Sequence, residues 1–383
     1  MQFEINEGID GRTLCCCEYY NRDRERFHIL GCCCNCVHFD EFCTSPLCCR
    51  PFRNKDRSEM LLTFPDRLRI PWIGGAKQIS LDDFAPAVIV PFVIFTASIN
   101  FYTAIILGLA TPAFLGYTYY LLKRLKPKSK FFYMWTFWSA TYMIVIFEYS
   151  VPMFELLPEE KYILVFNVIL AIVFIVRTKQ KASMNYVVQG LSSEDDLPDI
   201  AEAEEHTTLL LEDDNNPKTG CNEDDTNMCR VCRKYVQPRT YHCSVCQACI
   251  MKRSHHSMWL DCCIGHHNDR SYYLSLSFSF ISLCLGSNLA LTSVCHPVLM
   301  FHVYDIPILL PDDCSYVFEQ YDLGLAFIIS IYAFFVMIFV LVALVRQMYL
   351  ISRGITFTEW RHGQSGNNRT IFHNWKVFVT RHV

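Results

Sequence analysis

The part of the sequence best equipped for chemistry is a run of cysteines and histidines between residues 229 and 263. Its three Cys-x2-Cys spacings begin at Cys229, Cys243 and Cys246. Thiolate sulfur and imidazole nitrogen are zinc's usual ligands in tetrahedral sites, so these spacings predict zinc more strongly than cysteines scattered in a reduced loop. The candidate ligands, enough for two Cys3His sites, are Cys229, Cys232, His242, Cys243, Cys246, Cys249, His256 and Cys263.

Long apolar segments flank this run and must position it. Hydrophobic residues make up 52% of the 383 residues and are bunched into nearly uncharged runs of about 20 residues, the length that crosses a bilayer. We predict an all-α polytopic membrane protein with about six transmembrane helices. Two lie within 84–122 as a hairpin broken near Asn100, and the others at about 131–150, 161–177, 272–294 and 323–345.

Basic residues after the second, fourth and sixth predicted spans indicate the cytosolic side of the membrane. Both termini and the zinc module are then cytosolic. If residues 84–122 formed a single long helix instead, the N-terminal head would be lumenal. The net charge of −4 gives no reason to expect nucleic-acid binding.

The predicted organisation has six parts. The loop between the last two spans contains Cys295 and Cys314, a candidate disulfide pair. The predicted linker at residues 178–225 is acidic and too poor in apolar residues to offset its chain entropy, so we expect disorder there. The parts are a cytosolic Cys-rich head (1–83), four spans (84–177), the linker (178–225), the cytosolic two-zinc module with short β-hairpins (226–271), two spans with a lumenal loop (272–345) and a cytosolic tail (346–383).

From Cys229 to Asn268 the chain resembles the cysteine-rich domain of the DHHC protein S-acyltransferases, the palmitoyltransferases. The ligand spacing matches, as do Arg239, Trp259 and Gly265. The resemblance implies one zinc on Cys229, Cys232, His242 and Cys249, and a second on Cys243, Cys246, His256 and Cys263.

Other segments are also similar to the family. Thr356-Phe-Thr-Glu359 resembles its Thr-Thr-x-Glu motif, and residues 367–375 resemble its C-terminal aromatic segment. The segments 15–19 and 66–72 look like the subgroup of the DHHC protein that interacts with neuronal nitric oxide synthase. The family's Asp-Pro-Gly motif is not recognisable near Ala182.

The signature Asp-His-His-Cys tetrapeptide reads Ser254-His255-His256-Ser257. In the family, the cysteine takes an acyl group from acyl-CoA as a thioester and passes it to a substrate cysteine, while the first histidine acts as base and the aspartate orients it. A thiol is partly ionised at neutral pH, whereas a serine hydroxyl needs a base and an oxyanion hole. Losing the orienting carboxylate costs on the order of 10⁴ in rate in serine proteases.

Two functions therefore follow from the sequence. The first is a catalytically deficient family member that acts as a regulatory or scaffolding membrane protein and binds partners or long-chain acyl-CoA. The alternative is an active protein-cysteine S-palmitoyltransferase, in which Cys262, spare in the zinc assignment, could replace the missing nucleophile. Ser257 could also keep an acyl group as a stable oxyester. Expected partners are membrane-associated proteins and the bilayer, at Golgi, endoplasmic reticulum or endosomal membranes.

Overall fold

The computed structural model describes most of the chain outside the N-terminal region and the acidic linker. The cysteines at 15 and 16, the segment 66–68 and most of the predicted linker lie outside it. The described residues are 17–20, 26–28, 69–71, 76–78, 80–125, 128–151, 158–187, 228–229, 231–232, 234–303, 306–364, 366 and 369–380.

The chain divides into two compact units, residues 1–89 and 90–383. The described residues of the first form two small antiparallel sheets, β1 (Glu18–Tyr20) with β2 (Arg26–His28), and β3 (Arg69–Ile70) with β4 (Lys77–Gln78). The guanidinium of Arg69 lies 4.2 Å from the centre of the Tyr19 ring. The predicted cytosolic position of this head stays a prediction.

Six long helices occupy the regions predicted for the spans. Their apolar composition favours helices in a membrane, where every backbone group needs an internal partner. They are α1 (Leu81–Ala97), α2 (Phe101–Leu125), α3 (Phe131–Ser150), α4 (Pro158–Gln180), α5 (Asp269–Val294) and α6 (Tyr321–Arg353).

Of the described helices, α2, α4, α5 and α6 are long and apolar enough to cross a membrane. Helix α1 has only 17 residues. Helix α3 has 20 residues, which include several tyrosines, tryptophans, serines and threonines as well as Glu148. The membrane-spanning, mostly helical fold is confirmed, and the count of about six spans stays a prediction.

Gly286 lets α4 and α5 pack closely, and α5 also packs along α6. A Cβ on Gly286 of α5 would lie 3.6 Å from the Leu164 side chain of α4. Phe174 and Phe278 stack between the same two helices at 5.6 Å. Small side chains let helices approach in lipid, where van der Waals contact replaces the hydrophobic effect as the main attraction. Helix α3 contacts α6 through a hydrogen bond, in which the indole N–H of Trp135 in α3 donates to the hydroxyl of Tyr332 in α6.

The cysteine-rich module consists of three short antiparallel hairpins between α4 and α5, as the sequence predicted. The strands pair in sequence order, and each pair is closed by a short turn. They are β5 (Met228–Cys229), β6 (Lys234–Tyr235), β7 (Thr240–Cys243), β8 (Ala248–Met251), β9 (His255–Ser257) and β10 (Cys262–Ile264).

Residues 178–187, at the start of the predicted linker, form regular structure. Helix α4 continues to Gln180, and a 3-10 turn follows at Ser183–Asn185. Tyr186 then bridges to Ile250 of β8, and the N–H of Val187 donates to the carbonyl of Cys249. This pairing is with a distant strand, which local composition does not reveal. Residues 188–225 lie outside the described part.

The segment between α5 and α6 forms a hairpin where the sequence predicted only a loop. Its strands are β11 (His296–Val303) and β12 (Ile306–Asp313). A disulfide joins Cys295 to Cys314 at its base, which confirms the candidate pair. The chain ends in two short helices, α7 (Phe357–Arg361) and α8 (Ile371–Thr380).

Candidate functional site

The degenerate tetrapeptide lies on the hairpin β9–β10. In its antiparallel register, His255 pairs with Ile264, His256 with Cys263, and Ser257 with Cys262. Successive side chains of a strand point to opposite faces, and directly paired residues share a face. His256 and Cys263 therefore lie on one side, which we call the metal face. His255, Ser257 and Cys262 lie on the other, which we call the reaction face.

The metal face belongs to the group formed by Cys243, Cys246, His256 and Cys263. The Sγ of Cys246 lies 3.4 Å from Nδ1 of His256 and 3.5 Å from Sγ of Cys263. Nδ1 of His256 lies 3.6 Å from Sγ of Cys263. Hydrogen bonding from Cys246 and Cys263 places the pKa of Cys243 far below the usual thiol value, so the group favours a thiolate.

The second group joins the other two hairpins and contains Cys229, Cys232, His242 and Cys249. Nδ1 of His242 lies 3.3 Å from Sγ of Cys232 and 3.9 Å from Sγ of Cys249. The two sulfurs lie 3.6 Å apart. In each group, all four candidate ligand atoms lie within 4.8 Å of one another.

These distances suit zinc. Tetrahedral bonds of about 2.3 Å to sulfur and 2.1 Å to nitrogen would separate the ligand atoms by roughly 3.5–3.8 Å. Three thiols and one imidazole are also a common donor set of structural zinc sites. The geometry thus brings together the two sets of four that the family resemblance implied, and each could hold one zinc ion that staples two hairpins.

On the reaction face, the partner of His255 is a serine hydroxyl. Nδ1 of His255 lies 3.3 Å from Oγ of Ser254. The N–H of Phe357 donates to the same Oγ at 3.4 Å, and Oγ1 of Thr358 donates to the Ser254 carbonyl at 2.7 Å. Ser254 is buried beneath α7. The hydroxyl can orient the imidazole, but it lacks the charge that would stabilise an imidazolium.

The surroundings of His255 favour its neutral form. Burial, with the positive charges of Arg346 and Arg253, lowers its pKa to about 3. The rings of Tyr272 and Phe357 pack edge-on against it. A general base works best with a pKa near the working pH, so this imidazole is a weak base.

Ser257 and Cys262 face each other across the hairpin. Both are buried. Cys262 packs in an apolar cluster with Leu260, Ile264 and Tyr272. Burial raises the pKa of its thiol to about 12, so it is protonated at neutral pH. The sequence placed Cys262 one residue before a zinc ligand, and only the strand register reveals that it lies opposite Ser257.

The C-terminal motif is tied to the module by an ion pair. Nε of Arg239 donates to Oε1 of Glu359 at 2.5 Å, and its Nη2 to Oε2 at 2.7 Å. Glu359 is nearly fully buried and also caps α7, since its Oε2 accepts from the N–H of Thr356. Although burial opposes ionisation, these bonds hold the pKa of Glu359 below its usual value. Both carboxylate oxygens of Glu359 are therefore hydrogen-bonded to Arg239 or Thr356 and not to His255.

Sequence reasoning missed the role of two buried amides that fasten the module to α4. The side-chain amide of Asn268 donates to the carbonyls of Thr178 and Cys263, and its oxygen accepts from the N–H of Gly265. The amide of Asn185 donates to the same oxygen at 3.1 Å. Asn268 matched the family pattern, but Asn185 had no pattern signal because its partners are 82 and 83 residues away.

A Cβ at Gly265 would lie 2.8 Å from the carbonyl oxygen of Met251 and 3.0 Å from the Asn185 side chain. Close packing at this point therefore requires glycine. The amides and the glycine together set the distance between the metal groups and the end of α4.

Comparisons with known proteins agree with this geometry. Residues 222–364 match the family model described as DHHC palmitoyltransferase. Palmitoyltransferase ZDHHC23-B of Danio rerio is 28% identical over 369 residues, covering 91% of this chain and 84% of its own length. Palmitoyltransferase ZDHHC23 of Rattus norvegicus is 26% identical over 311 residues, covering 75% and 72%. The Homo sapiens protein of that name is 34% identical over 134 residues, covering 35% and 33%.

Proposed function

Since this chain belongs to the DHHC palmitoyltransferase family, we propose that it is a catalytically deficient member and acts as a regulatory or scaffolding protein in the membrane. The observation that carries the proposal is the composition of the reaction face and of Ser254, which contacts His255. Where the chemistry needs a thiol and a carboxylate beside His255, the chain has the hydroxyls of Ser257 and Ser254.

The two serines affect both halves of the reaction. In the first half, a cysteine sulfur attacks the acyl carbonyl of acyl-CoA and the CoA thiolate leaves. Ser257 would need His255 to accept its proton, and Ser254 offers no charge to stabilise the product imidazolium. In the second half, an acyl group on Ser257 would be an oxyester, and its transfer to a substrate thiol runs uphill.

A binding role needs neither the nucleophilic thiol nor the orienting carboxylate. The structural features that support a binding role are intact: two Cys3His groups, the Asn268 contacts with α4 and the Arg239–Glu359 ion pair. We propose that long-chain acyl-CoA binds without reacting and that the partners are membrane-associated proteins. Basic residues at the module ends of α4 and α6, such as Arg177 and Arg353, support a cytosolic module. Golgi, endoplasmic reticulum and endosomal membranes are the proposed locations.

The second candidate is an active S-acyltransferase, and one observation favours it. Cys262 pairs directly with Ser257, so its sulfur lies on the same face as His255. Its thiolate could attack acyl-CoA and release CoA, forming a thioester that a substrate cysteine could then receive. Its burial in an apolar cluster opposes this role, because a neutral thiol is a poor nucleophile.

Autoacylation distinguishes the candidates. The purified, zinc-loaded full-length protein would be incubated in detergent with labelled palmitoyl-CoA, and each labelled residue identified by mass spectrometry. Neutral hydroxylamine then separates thioesters, which it cleaves, from oxyesters. The wild type would be compared with Cys262→Ser and with Ser257→Ala.

We expect no thioester on the reaction face of the wild type and an unchanged result in both variants. A hydroxylamine-sensitive label on Cys262 that Cys262→Ser abolishes, and that passes to a substrate peptide, would overturn the proposal. A hydroxylamine-resistant label on Ser257 that does not turn over would still agree with a deficient transferase. Identifying the residue excludes spontaneous acylation of other cysteines.

A further inference from the structure

The hairpin β11–β12 projects from the end of the helix pair opposite the zinc module. The module directly precedes α5, whereas β11 begins two residues after α5 ends. With 26 residues, α5 is about 39 Å long, which is enough to cross a bilayer. The hairpin therefore starts at the opposite membrane surface, where the disulfide fixes its base.

Both faces of this two-stranded sheet are apolar. Val298 and Leu310 are paired in the register and so share one face, and Leu299 lies on the other. These three side chains are 44%, 42% and 49% exposed. A soluble partner protein that bound the hairpin in a groove would cover only one of its faces and leave the other exposed to water.

Prolines near the base of the hairpin disfavour the addition of another strand there. Pro297 and Pro311 are paired, and neither has an N–H to donate across the sheet. A strand added at either edge would find no donor at these two positions. Proline at an edge is one of the ways in which proteins prevent strand addition.

Aromatic residues indicate the membrane surface at the level of the hairpin base. Tyr316, between the hairpin and α6, and Tyr321, the first residue of α6, are both exposed. Exposed tyrosines also lie at the neighbouring helix ends, Tyr149 in the last turn of α3 and Tyr162 in the first turns of α4. Tyrosine is enriched where the headgroups meet the acyl chains.

We propose that β11–β12 is an interfacial membrane element that lies in the headgroup and upper acyl region of the leaflet opposite the zinc module. There, lipid covers both apolar faces at once. The edges still meet water and headgroups, which the hydrocarbon core would not provide to an open sheet. The occupant of this surface is lipid, and its covering is continuous with that of α5, which both strands contact.

The charge of the hairpin determines which lipid suffices. Residues 296–313 include no lysine or arginine, and Asp312 and Asp313 are exposed next to the disulfide. Attraction to anionic headgroups is therefore absent, and apolar burial provides the binding. Contact with the leaflet should not depend on anionic lipid.

The test places a photoreactive leucine analogue at Leu299 or at Leu310 in the full-length protein, reconstituted in phosphatidylcholine nanodiscs. Tyr235, exposed in the zinc module, is the control position. After illumination, mass spectrometry separates lipid adducts from chain–chain products and from quenching by water. Val298, which shares the face of Leu310, replaces it if that variant is not monodisperse.

We expect several-fold more lipid adduct at both hairpin positions than at Tyr235, unchanged when phosphatidylserine is added. Water quenching at both positions, crosslinks between two chains, or lipid adducts on one face alone would overturn the proposal. It depends only on the membrane-spanning fold, so autoacylation by the wild type would leave it standing.

Discussion

Two faces of one short hairpin differ in what they retain. The metal face of β9–β10 contributes His256 and Cys263 to a complete Cys3His group. The reaction face has the hydroxyl of Ser257 where the family's chemistry needs a thiol, and beside it the hydroxyl of Ser254 takes the place of a carboxylate. The difference indicates which residues the fold depends on. Metal binding supplies folding free energy to a small module, whereas a catalytic nucleophile does not stabilise the fold.

The largest difference between the faces should appear on exchanging sulfur for oxygen at two adjacent residues. Cys263→Ser removes a metal ligand, and structural zinc contributes roughly 10 kcal/mol or more in small zinc modules. We expect it to lose one zinc per chain and to make the module sensitive to protease. Cys262→Ser should keep both zinc ions and cost about 1–3 kcal/mol, because it buries a hydroxyl in an apolar cluster.

Zinc content by mass spectrometry and limited proteolysis in detergent measure this contrast. Equal zinc loss in the two variants would remove the distinction between the faces.

Asn268→Ala should show how the metal face is held to the membrane helices. It deletes a fully buried amide with four hydrogen bonds and leaves the N–H of Gly265 without its partner. A buried unsatisfied group costs about 1–3 kcal/mol, so we expect a loss of about 3 kcal/mol. Thermal unfolding in detergent measures it. Asn288→Ala, a half-buried change within α5, serves as the control and should cost much less.

The ion pair beside the reaction face should have a smaller effect. Arg239→Ala leaves the buried Glu359 carboxylate without its main partner, and we expect about 2 kcal/mol because Arg239 is 42% exposed. A double-mutant cycle with Glu359→Gln should give a coupling of about 1–2 kcal/mol. Additive effects would show that the pair is not coupled.

The pH dependence of this pair has a definite sign. The pKa of Glu359 is lowered in the folded state, so the stabilisation is present above the carboxyl's unfolded pKa and is lost as pH falls through the folded value. The penalty of Arg239→Ala should therefore shrink in acid. Unfolding of the variant and the wild type across that range measures the change.

The smallest effect on stability should come from the reaction face itself. Ser257→Ala is expected to change the free energy of unfolding by about 1 kcal/mol or less and to leave zinc content unchanged, because only one hydroxyl is lost. Thermal unfolding and zinc analysis test this. A large loss would mean that Ser257 has a structural role.

Much of this arrangement could be predicted from the sequence because its signals are local. Cys-x2-Cys spacing indicates zinc ligands, and apolar runs indicate the helices. The pairing of Cys295 with Cys314 followed from a shared loop. The count of about six spans stays a prediction, because α1 has only 17 residues and α3 mixes apolar residues with tyrosine, serine and threonine.

The parts that the sequence could not predict depend on distant partners. Asn185 and Asn268 are 83 residues apart, and Arg239 and Glu359 are 120 apart. The position of Cys262 opposite Ser257 depends on a strand register that no spacing reveals. The hairpin β11–β12 was hidden because prolines and apolar runs are equally compatible with a loop.

The most direct test of the central claim restores the reaction face and leaves the metal face untouched. In Ser254→Asp/Ser257→Cys, the N–H of Phe357, now 3.4 Å from Ser254 Oγ, would be able to donate to the new carboxylate. After incubation with labelled palmitoyl-CoA, the zinc-loaded double variant should acquire a hydroxylamine-sensitive label at position 257. The wild type and the single variant Ser254→Asp should not. An equal label on the reaction face of the wild type, or none on a folded and zinc-loaded double variant, would contradict the account.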